Sequence, residues 1–170
     1  MARLATRVER EGSPAESGQI ADSLTIRTDA MRMLLSSDMA VLLAITRTGA
    51  FEVVAAAGAP PLPPAGSSVS GGIDSLCGYA AQHRAAVIFD NVAATARFRG
   101  AEMATRFGAV SSLVVALRHQ DAVVGVLSVH SRAARLYTPH EAQTLEHAID
   151  GLASQLAAAR RSPESEAGPR

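Results

Sequence analysis

The sequence predicts an α+β fold: one domain whose helices stand apart from an antiparallel sheet. Three observations carry this. The strand-like segments come in adjacent pairs joined by short polar turns, which is the arrangement of antiparallel hairpins. Helical periodicity is strongest at the two ends, and the chain lacks both the G-x-G-x-x-G fingerprint and the Walker A loop of parallel α/β folds. Finally, 170 residues with 48% hydrophobic and 19% charged side chains suit a single domain with a full apolar core.

Each element has a local reason. Residues 1–17 are polar and interrupted by Gly12 and Pro14, so they are expected to form a flexible N-terminal tail. From Ile20 to Leu35 the residues Ile20, Leu24, Met31, Leu34 and Leu35 fall on helical spacing. The run after Asp38, ending in Ile45-Thr46, reads as a strand, and a turn at Thr48-Gly49 leads to a second strand at Phe51–Val54. A loop broken by four prolines and four glycines follows, from Gly58 to Gly72. Ile73, Leu76, Cys77, Ala80 and Ala81 then mark a short helix, and Ala86–Phe89 a brief strand ending at Asp90-Asn91. Residues 100–107 form a second short helix with Met103 and Phe107 on one face. Ser112–Leu117 and Val123–Val129 make a hairpin across the polar connector Arg118–Asp121. Thr138, Pro139 and Glu141 supply an N-cap, a first-turn proline and a capping-box acid. The long helix they open has Leu145, Ala148, Ile149, Leu152, Gln155 and Leu156 on its core face. Residues 161–170 read as a disordered C-terminal tail, leaving 18–160 as the domain.

Composition excludes several classes. Sixteen basic residues balance sixteen acidic ones, with a pI near 7.0, so the chain lacks the basic excess of an electrostatic nucleic-acid binder. All the basic residues are arginine, a bias expected of a high-GC genome such as an actinobacterial one. The single cysteine, Cys77, rules out an intrachain disulfide and a cysteine-rich zinc site. The N-terminus has no apolar signal core, and runs such as Leu113–Leu117 and Ala122–Val129 are far shorter than the ~18–20 residues needed to cross a bilayer. A cytoplasmic protein with no membrane or nucleic-acid partner is expected.

The ordered series of segments resembles a known family. Cys77–Ala80, Ala86–Asn91, Ala96-Arg97-Phe98, Phe107–Val115, the glycine-bearing strand Val124–Ser131 and the helix entry Leu136–Glu141 together resemble GAF domains over residues 20–160. The wording is similar to the sensor modules that precede bacterial histidine kinases and cyclic-di-GMP enzymes. The resemblance implies a twisted antiparallel sheet of five to six strands, with the N- and C-terminal helices on one face. Short helices and loops then roof a small-molecule pocket on the other. Gly108, before a strand, suits a positive φ, and Gly125, within one, suits close approach of a neighbouring backbone.

The resemblance also implies functions to be weighed. Ligand-binding candidates are Phe89, Phe98, Met103, Phe107 and Val114, with Tyr79 and Ser112 as polar handles. The same side chains could equally fill the core beneath the roof, although three of the four phenylalanines falling within 89–107 favours a pocket. Cys77 is a possible redox residue, since a GAF subgroup reduces free methionine sulfoxide with a cysteine in this neighbourhood. That chemistry needs a second, resolving cysteine, so a buried structural cysteine is the better reading. His130 reads as structural rather than as a haem ligand, and His83, His119, His140 and His147 as surface residues. Asp90 and Arg97 could meet a polar ligand, but Asp90 more economically ends its strand. Without lysine the cyclic-nucleotide signature is absent, and Cys77-Gly78 lacks the Cys-His of bilin attachment. No cofactor is identified and no metal ligand set is found. Leu152, Leu156 and the Ala157–Ala159 run are expected to offer an exposed seam for a homodimer. The expectation is a free-standing, non-enzymatic sensory module that signals through its terminal helices, with a kinase, phosphatase or cyclic-di-GMP enzyme as output partner. The alternatives are a dimerisation module with a vestigial pocket and, behind it, a sulfoxide reductase using Cys77.

Overall fold

A computed structural model describes residues 14–69, 72–91, 98 and 106–160. Helix α1 spans Pro14–Leu34, followed by strands β1 (Met39–Ile45), β2 (Phe51–Gly58) and β3 (Ser68–Val69). Helix α2 (Leu76–His83) and β4 (Val87–Phe89) precede the hairpin of β5 (Ser111–His119) and β6 (Ala122–Ser131). Helices α3 (Pro139–Ala148) and α4 (Asp150–Ala159) close the described chain. The sheet has six strands in the order β3-β2-β1-β6-β5-β4, antiparallel throughout.

The sheet's alternation builds two apolar layers. Ala40, Leu42, Leu113, Val115, Leu117, Leu127 and Val129 face one side, where they pack on Leu24 of α1, Leu145 of α3 and Leu152 and Leu156 of α4. Met39, Val41, Leu43, Phe51, Val53, Val114 and Val126 face the other, towards α2, Phe98 and Phe107. In β2 a bulge interrupts the period: Leu42 pairs with Ala55 but Leu43 pairs with Val53, leaving Val54 as the extra residue.

Local chemistry explains the boundaries. Thr138 accepts from the Glu141 amide, and Glu141 accepts in return from the Thr138 amide, completing the capping box with Pro139 in the first turn. Ser75 caps α2 by accepting from the Gly78 amide. The β5–β6 turn rests on Gln120 and Asp121, with φ of 48° and 65°, which is the twist that a two-residue hairpin requires. Gly108 has φ of +80°, as expected from its place before β5.

Several expectations need correction. The N-terminal helix begins at Pro14 rather than near Ile20, so residues 14–17 belong to it and not to a tail. Its buried side runs through Leu24 and Thr28, Leu35 is buried just beyond its end, and Leu34 is exposed. Thr28 is tolerated there because its hydroxyl donates to Leu24 O at 2.7 Å. The loop after Gly58 contains the short strand β3, paired with Phe51 and Glu52. The last helix is divided at Ile149, and Ala148 is exposed. Leu152 and Leu156 are each 1% exposed and form no open seam, because the side of α4 that carries them lies against the sheet. The predicted helix at 100–107 lies largely outside the described residues.

Gly125 marks the tightest packing. A Cβ there would lie 2.2 Å from Leu43 O and 2.8 Å from Leu156 Cδ2, and the first of these is backbone with no room to yield. Gly125→Val is therefore expected to lower unfolding free energy by about 2 kcal/mol or more in urea titrations. Gly18→Ala, in an exposed stretch of α1 with nothing within 4 Å, should raise it by about 0.5–1 kcal/mol.

Candidate functional site

On the face of the sheet opposite α1, α3 and α4 the structure leaves a cavity of about 50 Å³. Met39 and Val41 of β1, Val114 of β5, and Ser128 and His130 of β6 form its floor. Ser75, Leu76 and Cys77, at the start of α2, wall one side, and Pro63, Val69 and Phe107 complete the enclosure. The lining is mostly apolar with a few polar groups, the usual make-up of a small-molecule site.

The polar floor follows from strand register. Ser112 stands directly opposite His130, and Val41 and Val114 both stand opposite Ser128. Ser112 Oγ lies 2.6 Å from His130 Nδ1, and His130 Nε2 lies 2.9 Å from Ser128 Oγ. Ser128 Oγ in turn lies 3.4 Å from Val41 O. Both ring nitrogens of a nearly inaccessible histidine are thus satisfied. Burial disfavours the imidazolium and lowers the His130 pKa to about 4. Cys77 is only half-buried by its accessible surface, not fully buried as expected, but desolvation by the groups packed around it pushes its thiol up to about 12.

The loop that delivers Pro63 is held by Arg132. Its guanidinium donates to Ala59 O at 2.6 Å, Pro61 O at 2.9 Å and Phe107 O at 3.4 Å, drawing two walls together. The Arg132 amide donates to Asp38 Oδ2 at 2.7 Å, which fixes the end of β6 beside the start of β1.

The predicted ligand residues divide into groups. Phe107 and Val114 line the cavity. Ser112 reaches it through His130. Tyr79, Phe89 and Phe98 stand beside the lining as an aromatic group, with edge-to-face contacts at 5.4 Å for Tyr79–Phe98 and 5.1 Å for Phe89–Phe98. Tyr79 also stacks against His83 at 4.1 Å, so its ring packs against neighbours and does not line the cavity. Met103 and Arg97 lie outside the described residues. Asp90 is exposed, and its carbonyl accepts from Ser111 Oγ at 2.8 Å. His83, His140 and His147 are exposed, while His119 is half-buried. Among the described residues no group of three His, Cys, Asp or Glu side chains could hold a metal ion. No described helix is long and apolar enough to cross a membrane. Sequence reasoning missed His130, Ser128 and Arg132 as parts of the site; the signal available was Ser128 and His130 two apart on one strand, hence on one face.

The buried histidine makes stability depend on pH. Its folded pKa of about 4 lies below the ordinary histidine value of 6.5, so the unfolded chain binds the extra proton first as pH falls. The contribution is complete above about pH 6.5 and is lost towards pH 4, amounting to about 3 kcal/mol. Urea unfolding at pH 7 and pH 4 should show this loss in the wild type and a smaller one in His130→Gln. Equal losses in both would remove His130 as the cause.

Comparison with known proteins agrees with this architecture. The GAF domain family model matches residues 19–159. No protein of curated function matches the chain. Among solved structures it is similar to the GAF domain of an Acinetobacter phosphoenolpyruvate-protein phosphotransferase, at 20% identity and a TM-score of 0.69, covering 83% of this chain and 84% of that one. It is similar to a type II free methionine-R-sulfoxide reductase from Thermoplasma acidophilum, at 15% identity and a TM-score of 0.68, covering 84% and 95%. It is also similar to residues 122 to 287 of a methyl-accepting chemotaxis protein, at 17% identity and a TM-score of 0.69, covering 85% and 96%. These structural likenesses speak for the fold, and the family match over most of the sequence does the rest: the chain belongs to the GAF domain family.

Proposed function

We propose that this chain is a non-enzymatic sensory or regulatory GAF module that holds a small molecule in the cavity above β1, β5 and β6. The carrying observation is the cavity itself: an apolar enclosure whose floor bears a buried, satisfied polar chain. The chemotaxis protein with the same fold supports a regulatory setting. The module acts in the cytosol, and a kinase, phosphatase or cyclic-di-GMP enzyme reads its state.

The reductase neighbour raises the enzymatic alternative, and Cys77 weighs against it. Its low-polarity surroundings push the thiol pKa up to about 12, so the protonated form dominates at neutral pH, whereas the thiolate is the nucleophile. The chain has no second cysteine to resolve a sulfenic acid.

The homodimer reading moves to α1. Since Leu152 and Leu156 are buried in the protomer, the surface that fits a second copy is Ile26, Met33 and Leu34, exposed at 70%, 62% and 47%. Ile26 and Met33 are seven residues apart, so they lie on one side of α1.

Native mass spectrometry of protein purified from its host should show a fixed mass increment that disappears on unfolding. The bare chain mass would sink the small-molecule reading. In light scattering, Ile26→Glu with Met33→Glu should convert a dimer to a monomer while the protein stays folded. An unchanged dimer would exclude α1 as the interface.

A further inference from the structure

The hydrogen-bond chain on the cavity floor has a direction. If His130 Nε2–H donates to Ser128 Oγ, the Ser128 proton goes to Val41 O, and the Ser112 proton goes to His130 Nδ1. Every proton then has an acceptor. The reverse direction makes Nδ1 the donor and leaves the hydroxyl proton of the fully buried Ser112 with no acceptor among the bonds described. The hydrogen bonds described favour the Nε2–H tautomer.

This direction decides what the cavity offers a guest. Ser128 directs its proton to Val41 O in a long contact of 3.4 Å and keeps one lone pair after accepting from His130. Ser75 is in the same state, donating to Gly72 O at 2.8 Å and accepting from the Gly78 amide at 2.9 Å. Among the described residues of the lining, the remaining side-chain proton is the Cys77 S–H, a weak donor. Among the described residues no Asp, Glu, Arg or Lys lines the space. On this described lining an anion meets no strong side-chain donor and a cation no counter-charge, and burying either unpaired costs several kcal/mol.

We propose that this cavity selects an uncharged molecule with a compact apolar body and one hydrogen-bond donor, such as an alcohol hydroxyl, directed at Ser128 Oγ. The proposal names the ligand class of the small-molecule site and rests on that reading. At about 50 Å³ the space is a third of a cavity of ~150 Å³ that takes benzene, so a short aliphatic group matches it better than a ring.

The test uses four probes with the same carbon count: ethanol, acetonitrile, sodium acetate and ethylammonium chloride, titrated into the ¹⁵N-labelled full chain. Ethanol should shift the amide signals of Val41, Val114 and Ser128 saturably. Acetonitrile, which has no O–H or N–H, should bind about fivefold to tenfold more weakly, the worth of one hydrogen bond, and the two ions should leave these signals unmoved. In Ser128→Ala, with fold checked by the same spectra, the gap between ethanol and acetonitrile should close. Acetonitrile or either ion binding as tightly as ethanol overturns the donor rule while leaving a small-molecule site standing. No shift with any of the four overturns the donor rule, whereas the small-molecule reading itself stands or falls on the native mass increment. Imidazole ¹⁵N shifts give an independent check: the proton should sit on Nε2 of His130, and a proton on Nδ1 overturns the assigned direction.

Discussion

The pairing of β1 with β6 is the constraint on which the remaining structure depends. These strands come from distant parts of the chain, Met39–Ile45 and Ala122–Ser131, and they form the middle of the sheet. Both faces of the pair are buried. Leu42, Leu127 and Val129 belong to the helical side, while Met39, Val41, Ser128 and His130 belong to the cavity side. Because side chains alternate with a period of two, a slip of one residue would send the histidine into the leucines and the leucines into the cavity. Gly125 guards the pairing, since only a residue without Cβ lets β6 lie this close to Leu43 O.

The buried polar chain is a second consequence of the same register. His130 is placed among apolar residues, where an unpaired imidazole would be costly. It is tolerated because its cross-strand neighbour is Ser112 and the residue two before it is Ser128. The two hydroxyls satisfy both nitrogens of a neutral ring, and burial keeps the ring neutral. Cys77 responds to the same low-polarity surroundings by holding its proton. Among the described residues the cavity lining therefore carries no formal charge at neutral pH.

What was legible in the sequence was local. The capping box at Thr138, the positive φ at Gly108, a hairpin connection within Arg118–Asp121 and the close approach at Gly125 each depend on residues within a few positions or on backbone sterics, although the strands run on to His119 and from Ala122 and leave only Gln120 and Asp121 as the turn. What escaped depends on where distant segments meet. Leu152 and Leu156 have the right spacing for a helix face, but spacing does not say whether that face meets the sheet or a second copy. Ser112 and His130 show the limit most clearly. Counting outward from the His119–Ala122 pair places Ser112 opposite Val129, whereas a bulge beyond Arg118–Val123 advances the register so that it meets His130. One extra residue, Val124, thus assembles the polar floor, and no local pattern announces it.

The same strand that carries the cavity floor is held by the terminal helices. On one face of β6 are Ser128 and His130; on the other, Leu127 and Val129 share a core with Leu145, Leu152 and Leu156. Gly125 brings Leu156 to the strand's backbone, so α4 and β6 have little freedom to move separately. Close-packed interiors transmit displacement because they have no slack to absorb it. A guest that presses on Ser128 therefore presses on a strand whose far side is keyed into α3 and α4. Arg132 adds a third connection, joining the end of β6 to Ala59, Pro61 and Phe107. Cavity wall, floor and helices meet in a single strand, and only the thickness of the sheet separates the cavity floor from the helices.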